Sequence, residues 1–311
     1  MRMVKYILKR LAYILVALFV IVTATFFLMR IAPGSPFASE KSVPPEIQKA
    51  LNEEYGLNNP WYIQYKDYLV STAKFDFGES MKYKGRSTND MISESFPISL
   101  TLGIEAMLLA VGFGILIGAA SALYHNKWPD YLGTTFAVLG ISVPSFILAG
   151  LLQYFVGLKW ELLPIAGWNG FMYSVLPAIS IAIMDMGFIA KLTRSSMLEQ
   201  NHSEYVKMAR AKGIGKWTTL FKHSLRNALM PVVTYLGPLA AGVITGSFIV
   251  EQIFAIPGLG KYFVTSISNR DYTVIMGTTV FYSIILLFAV LLVDILYVII
   301  DPRIKLKGAK K

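Results

Sequence analysis

Three acidic side chains interrupt otherwise uncharged apolar stretches of this 311-residue chain: Glu105, Asp185 and Asp294. A carboxylate at membrane depth is costly and normally faces protein or water. Glu105 or Asp185 could therefore meet a proton or a substrate cation, or act as a hydrogen-bonded packing group between helices. Asp294, near the end of its run, reads as packing. Other chemistry is hard to assemble here. The chain has no cysteine, which excludes disulfides, thiolate nucleophiles and Cys-based zinc sites. His125, His202 and His223 are scattered without metal-ligand spacing, and no His-Glu-x-x-His run occurs. A phosphate-binding loop needs Gly, four residues, Gly-Lys, then Ser or Thr. Gly215-Lys216 is followed by Trp217 and Gly260-Lys261 by Tyr262, so both fail. We expect no catalytic residue, no metal site and no cofactor site in this chain.

The elements that carry the acids follow from composition. Hydrophobic residues make up 55% and charged residues 15%, with a mean hydropathy of +0.53. Too little polar surface remains for a water-soluble fold, so lipid is the solvent for most of the chain. Crossing a bilayer takes about 20 apolar residues in a helix. Six stretches qualify: Leu11–Met29, Pro97–Tyr124, Tyr131–Gly157, Phe171–Ala190, Ala228–Val250 and Val274–Ile300. Leu11–Met29 is longer than a signal-peptide core and reads as a retained span. The expected fold class is an all-α integral membrane protein with six transmembrane helices.

Lys and Arg beside the spans set the orientation. With the N-terminus inside, the inner segments hold Arg2, Lys5, Lys9, Arg10, Lys127, eight basic residues from Lys191 to Arg226, and Arg303, Lys305, Lys307, Lys310 and Lys311. Only Asp130, Glu199, Glu204 and Asp301 oppose them, while the outer segments are close to balanced. The net charge of +10 therefore records positive-inside bias rather than a nucleic-acid footprint, and both termini are expected in the cytoplasm.

This divides the chain into an N-terminal segment with the first span (1–31), an outer insert (32–96), a five-helix core (97–302) and a basic tail (303–311). The insert opens with Pro33, Pro36, Pro44 and Pro45, which read as extended chain, and Glu46–Tyr55 reads as a short helix. The core carries a hydrophilic loop over 191–227. There Ser203 suits an N-cap, Ala209 and Ala211 favour helix, and Gly213 suits a stop. A second helix is expected from near Lys216. Tyr205, Val206 and Ala209 offer apolar surface; Lys207, Arg210 and Lys212 point largely elsewhere. Such a pair could lie on anionic headgroups or receive a partner protein.

The frame Lys207-Met-Ala209-Arg210-Ala211-Lys-Gly213 resembles the coupling loop of ABC-importer permeases, with Lys207 where the general pattern has Glu. Glu204-Tyr205-Val-Lys-Met-Ala-Arg-Ala-Lys-Gly followed by Arg226-Asn-Ala-Leu-Met-Pro231 is similar to the dipeptide, oligopeptide and nickel branch. Three further stretches resemble that branch: Tyr6-Ile-Leu-Lys-Arg-Leu through Met29-Arg-Ile-Ala-Pro-Gly-Ser-Pro36, Val250-Glu251-Gln-Ile-Phe254-Ala-Ile-Pro257-Gly258-Leu-Gly260, and Val293-Asp-Ile-Leu-Tyr-Val-Ile-Ile-Asp-Pro-Arg303. The four stand in the family's order, in the manner of the first permease of the pair.

The resemblance implies a type I ABC-importer permease fold in a bacterial inner membrane. It also implies a second homologous permease, two ATP-binding subunits that carry ATP and Mg, an extracytoplasmic substrate-binding lipoprotein, and a peptide substrate. Ser203–Gly213 would form the ATPase-coupling element and Glu251–Gly260 a piece of the outer vestibule. From the residues alone, Pro257-Gly-Leu-Gly260 is equally a surface turn. A nickel importer is the alternative within the branch, although nickel favours His or carboxylate ligands and no histidine lies in a span core. A proton-driven carrier using Glu105 and Asp185 is the alternative from another class, but it predicts an inverted repeat that is absent. Pro144, Pro177, Pro231 and Pro238 are expected to interrupt helices, and Gly112, Gly114 and Gly118 to allow close helix contacts.

Overall fold

A computed structural model describes residues 2–31, 36–37, 44–215, 218, 224–244 and 247–300. Among these the protein is helical, with one isolated antiparallel bridge between Glu79 and Ser87. Four helices are long and apolar enough to cross a membrane: α1 (Arg2–Ile31), α4 (Thr88–Leu123), α7 (Phe171–Asn201) and α12 (Tyr272–Ile300). A fifth crossing is available if a bent pair is one span. The stretch expected as the fifth span is described in pieces, as a turn at Arg226–Ala228, α9 (Met230–Ile244) and α10 (Phe248–Ile253).

The bent pair is α5 (Trp128–Ser142) and α6 (Ser145–Leu152), the latter continuing as a π-helical stretch over Gln153–Lys159. The helix axis bends by 107° between the two arms. Pro144 causes the break: it offers no N–H, and it pushes Val143 into extended backbone at φ −91° and ψ 120°. The other prolines behave differently from the expectation. Pro177 and Pro238 sit inside continuous helices, and Pro231 takes the second position of α9, where a missing N–H costs nothing.

The chain forms two compact units. The first comprises the chain up to Ser99 with Pro257–Leu291. Here α2 (Pro45–Glu54) matches the expected short helix within a residue, whereas α3 (Trp61–Ala73) was not foreseen. Arg30 donates to Gln64 at 3.2 Å, the Thr23 and Tyr65 hydroxyls lie 2.7 Å apart, and the Phe26 ring packs on Tyr65 and Tyr68. These contacts set α3 antiparallel along the last turns of α1. The helix α4 starts nine residues before Pro97 because the Ser87 hydroxyl accepts from Asp90 N at 3.0 Å, an N-cap ahead of the apolar run.

Buried Asp271 organises this unit. Its Oδ1 accepts from Met81 N at 3.2 Å and Val274 N at 3.3 Å, and its Oδ2 accepts from the Ser80 hydroxyl. It thus caps α12 and fastens the 76–87 turn to it. Gly277 allows the approach, since a Cβ there would come within 2.6 Å of Thr88 and 2.8 Å of Phe77.

The second unit comprises Leu100–Ile256 and the chain from Leu292 on. In it α4 and α5 pack on α7 through glycines. A Cβ on Gly114 would reach Ile189 at 2.8 Å, one on Gly118 would strike Ala190 O, and one on Gly187 would meet Ala137 O at 2.7 Å. Gly112, expected in the same role, faces open space.

Candidate functional site

The helix α8 (Glu204–Ala211) follows α7 after only His202 and Ser203. It contains Glu204, Tyr205, Lys207, Ala209, Arg210 and Ala211 of the expected coupling element. Ser203 accepts the first helical bond through its carbonyl, from Lys207 N at 3.2 Å. Its hydroxyl turns back and donates to Gln200 O, so the side chain closes α7 instead of capping α8. Gly213 adopts φ +77°, the left-handed backbone that glycine supplies at a helix stop. The expected second helix falls mostly outside the described residues, which between 215 and Ser224 include only Thr218.

Two kinds of contact hold α8 in place. Val206 is fully buried. Polar bonds fasten its first turn: Tyr205 Oη donates to Gln200 Oε1 at 2.6 Å and Asn227 Nδ2 donates to Tyr205 Oη at 2.9 Å, and beside them Ser224 Oγ donates to Asn201 Oδ1 at 2.9 Å. The opposite face is open. Glu204 and Lys207 pair with each other at 2.8 Å in solvent, and Met208 is exposed although the sequence did not single it out. Near the same end of α7, Ala122, Met197 and Ala228 form a buried cluster lined by Ala119, Leu123, Leu198 and Leu225. The result is a short helix with one anchored and one open face, mounted on the end of a 31-residue helix.

The acids separate. Asp185 accepts from the Tyr235 hydroxyl at 2.6 Å, beside the Phe188–Tyr235 ring contact, and not from Lys191. Glu105 is only partly buried, yet its Oε2 is shut from solvent with no hydrogen-bond partner among the described residues. Such an oxygen suits a donor brought by a ligand or another chain.

The remaining motif divides at Ile256. Glu251 and Phe254 are buried in the second unit, where Phe254 O accepts from Gly167 N at 2.8 Å and Ile253 O accepts from Gln153 Nε2 at 3.1 Å. The left-handed residue of this stretch is Ala255 at φ +50°, not a glycine. Pro257 and Gly258 belong to the first unit and lead into α11 (Leu259–Asn269), with Gly258 at its N-cap and Gly260 buried in its first turn.

Sequence reading overlooked one cluster. Asp130, in the first turn of α5, is 3% exposed. Arg194 of α7 grips it with Nε on Oδ1 at 2.5 Å and Nη2 on Oδ2 at 2.8 Å. Asn126 N donates to Oδ2 at 2.9 Å, His125 Nδ1 lies 3.1 Å from Oδ2, and Thr134 Oγ1 donates to Oδ1 at 3.4 Å. The available signal was an acid in a strongly basic set of segments, one residue outside a predicted span.

Comparison with known proteins gives the family and the fold. The family described as "Binding-protein-dependent transport system inner membrane component" matches residues 111–306, and its N-terminal counterpart matches residues 3–103. The dipeptide transport system permease protein DppB of Bacillus subtilis is 49% identical over 306 residues, covering 98% of this chain and 99% of that one. The oligopeptide transport system permease protein OppB is 44% identical in Haemophilus influenzae over 97% of this chain, and 40% in Escherichia coli K12 over 97%; both relatives are covered in full. A crystal structure of an amino acid ABC transporter with histidines superposes with a TM-score of 0.53 at 16% identity, covering 67% of this chain and 93% of that one. That likeness establishes the fold.

Proposed function

This chain belongs to the family of binding-protein-dependent transport system inner membrane components, and on that premise we propose that it is a permease subunit of an ATP-driven importer of dipeptides or oligopeptides. Near end-to-end identity of 40–49% to relatives named for dipeptide and oligopeptide transport carries the reading. In this reading the chain spans a bacterial inner membrane six times with both termini in the cytoplasm. It forms half of the pathway with a second permease and receives substrate from an extracytoplasmic binding protein. ATP and Mg belong to two separate ATPase subunits.

The open face of α8 is the ATPase contact. An amphipathic helix lying on lipid would bury its apolar side in the membrane, whereas α8 already buries Val206 in its own chain and leaves a mixed face of Glu204, Lys207 and Met208 outward. Asp185, satisfied by Tyr235, is a packing group. Glu105, with its orphaned oxygen, is the acid that faces the pathway and meets a peptide ammonium.

Proteoliposomes holding this chain, its second permease and the ATPase pair test the reading, with binding protein outside and ATP inside. Labelled di- or oligopeptide should accumulate only when ATP is present, and Glu105→Gln should slow uptake about tenfold. Accumulation of nickel without peptide, or peptide uptake that ignores ATP and collapses with a proton uncoupler, would refute it.

A further inference from the structure

We propose that the Asp130–Arg194 pair, braced by His125, is a register lock that carries the movement of α8 into α5 and so couples ATP hydrolysis to transport. The proposal rests on the transport function above and assigns positioning residues to it.

The path of force is short. A load applied to the open face of α8 enters α7 through the two-residue connection and the Tyr205–Gln200 bond, while Asn227 and Ser224 tie the following turn to Tyr205 and to Asn201. Arg194 lies seven residues before the end of α7, about 10 Å along the axis. To act on the bilayer-spanning bundle, the end of α7 must take its neighbours with it. Besides the close approach of Gly118 to Ala190 and Thr193, two contacts of different kinds join it to them at this level. One is the cluster of Ala122, Met197 and Ala228, with Ala119 beside it. Apolar burial is non-directional, and small alanines present a smooth surface along which a helix can slide without losing much contact. The other contact is the Asp130 site, which differs in kind.

A two-pronged guanidinium–carboxylate fork has fixed geometry. Sliding α7 by one residue, about 1.5 Å, would break both bonds at 2.5 Å and 2.8 Å. The carboxylate cannot swing to follow. It is 3% exposed and also held by Asn126 N, His125 and Thr134, all in or beside the first turns of α5. His125 Nδ1 also lies 3.3 Å from Arg194 Nη2, so this one nitrogen braces the pair either by donating to the carboxylate or by accepting from the guanidinium, according to the ring's tautomer. The lock therefore fixes the register between α5 and α7. The arm it holds ends at the 107° bend after Val143, where α5 can tilt without dragging a continuous helix.

The test uses the full complex in proteoliposomes with Arg194→Lys, which keeps the charge and removes the fork, and His125→Gln, which leaves the fork and removes one brace. Three quantities are read for each: ATPase subunits bound per permease, ATP hydrolysed with binding protein and peptide present, and peptide imported per ATP. We expect normal ATPase binding in both variants. Peptide per ATP should fall about tenfold in Arg194→Lys and two- to threefold in His125→Gln. A purely structural role would lower hydrolysis and import together, in proportion to folded protein, and leave their ratio unchanged. An unchanged ratio in both variants overturns the lock. If Arg194→Lys does not yield an assembled complex, the ratio in His125→Gln decides. A wild-type complex with no ATP-dependent import would overturn the transport reading itself, and this assignment with it.

Discussion

Two buried aspartates hold this chain together, and they do so by different means. Asp271, in the first unit, caps α12 and is surrounded by neutral donors: a serine hydroxyl and two backbone N–H groups. Asp130, in the second, faces a guanidinium that arrives from another helix 64 residues along the chain. Neutral donors tolerate a neutral acceptor. A cation that has lost much of its water does not. The contrast teaches that similar burial can mark a cap in one place and an ion pair joining separate helices in another, and that the donors tell them apart.

The same substitution at both positions should break the symmetry most sharply. Asp130→Asn would leave Arg194 without its counterion and set an amide against Asn126 N–H or the guanidinium. Removing one partner of a buried pair costs about 3–5 kcal/mol; with the Arg194 side chain 27% exposed, we expect about 3 kcal/mol, read as a large drop in the thermal midpoint of the purified protein in detergent. Asp271→Ala should be next, at about 2 kcal/mol, because it removes a cap and leaves buried donors unserved. Ser80→Ala should cost about 1 kcal/mol by the same measurement, since the hydroxyl also accepts from Lys82 N and Tyr83 N. Asp271→Asn should be mildest, below about 1 kcal/mol, because Oδ1 keeps both backbone donors and Ser80 Oγ can accept from the amide in exchange for its longer bond from Lys82 N at 3.1 Å. If the two asparagine variants cost the same, the distinction between cap and ion pair fails.

How much of this was legible in the sequence follows the same division between local and distant causes. The cores of α1, α4, α7 and α12 are apolar runs and were read as spans. The break at Pro144 follows from one residue's missing N–H. The helix α8 was visible because Ser203, Ala209, Ala211 and Gly213 act within a few residues of one another. By contrast, α3 has no clean apolar stripe. Trp61, Tyr65 and Tyr68 face α1, and that face exists only once α1 is there to meet it. Ala255, rather than Gly258 or Gly260, takes the left-handed turn, against the local preference for glycine there. The Asp130 site was invisible for a related reason. His125 looked scattered, and Arg194 looked like one of eight basic residues in a loop, until the fold brought both to one carboxylate.

The proposed grip of the ATPase on α8 is tested most directly by one measurement: co-purification of the ATPase with a chain lacking Glu204–Gly213. The deleted chain should insert into the membrane at normal yield and bring down no ATPase. Recovery of the ATPase at the wild-type ratio would contradict the account.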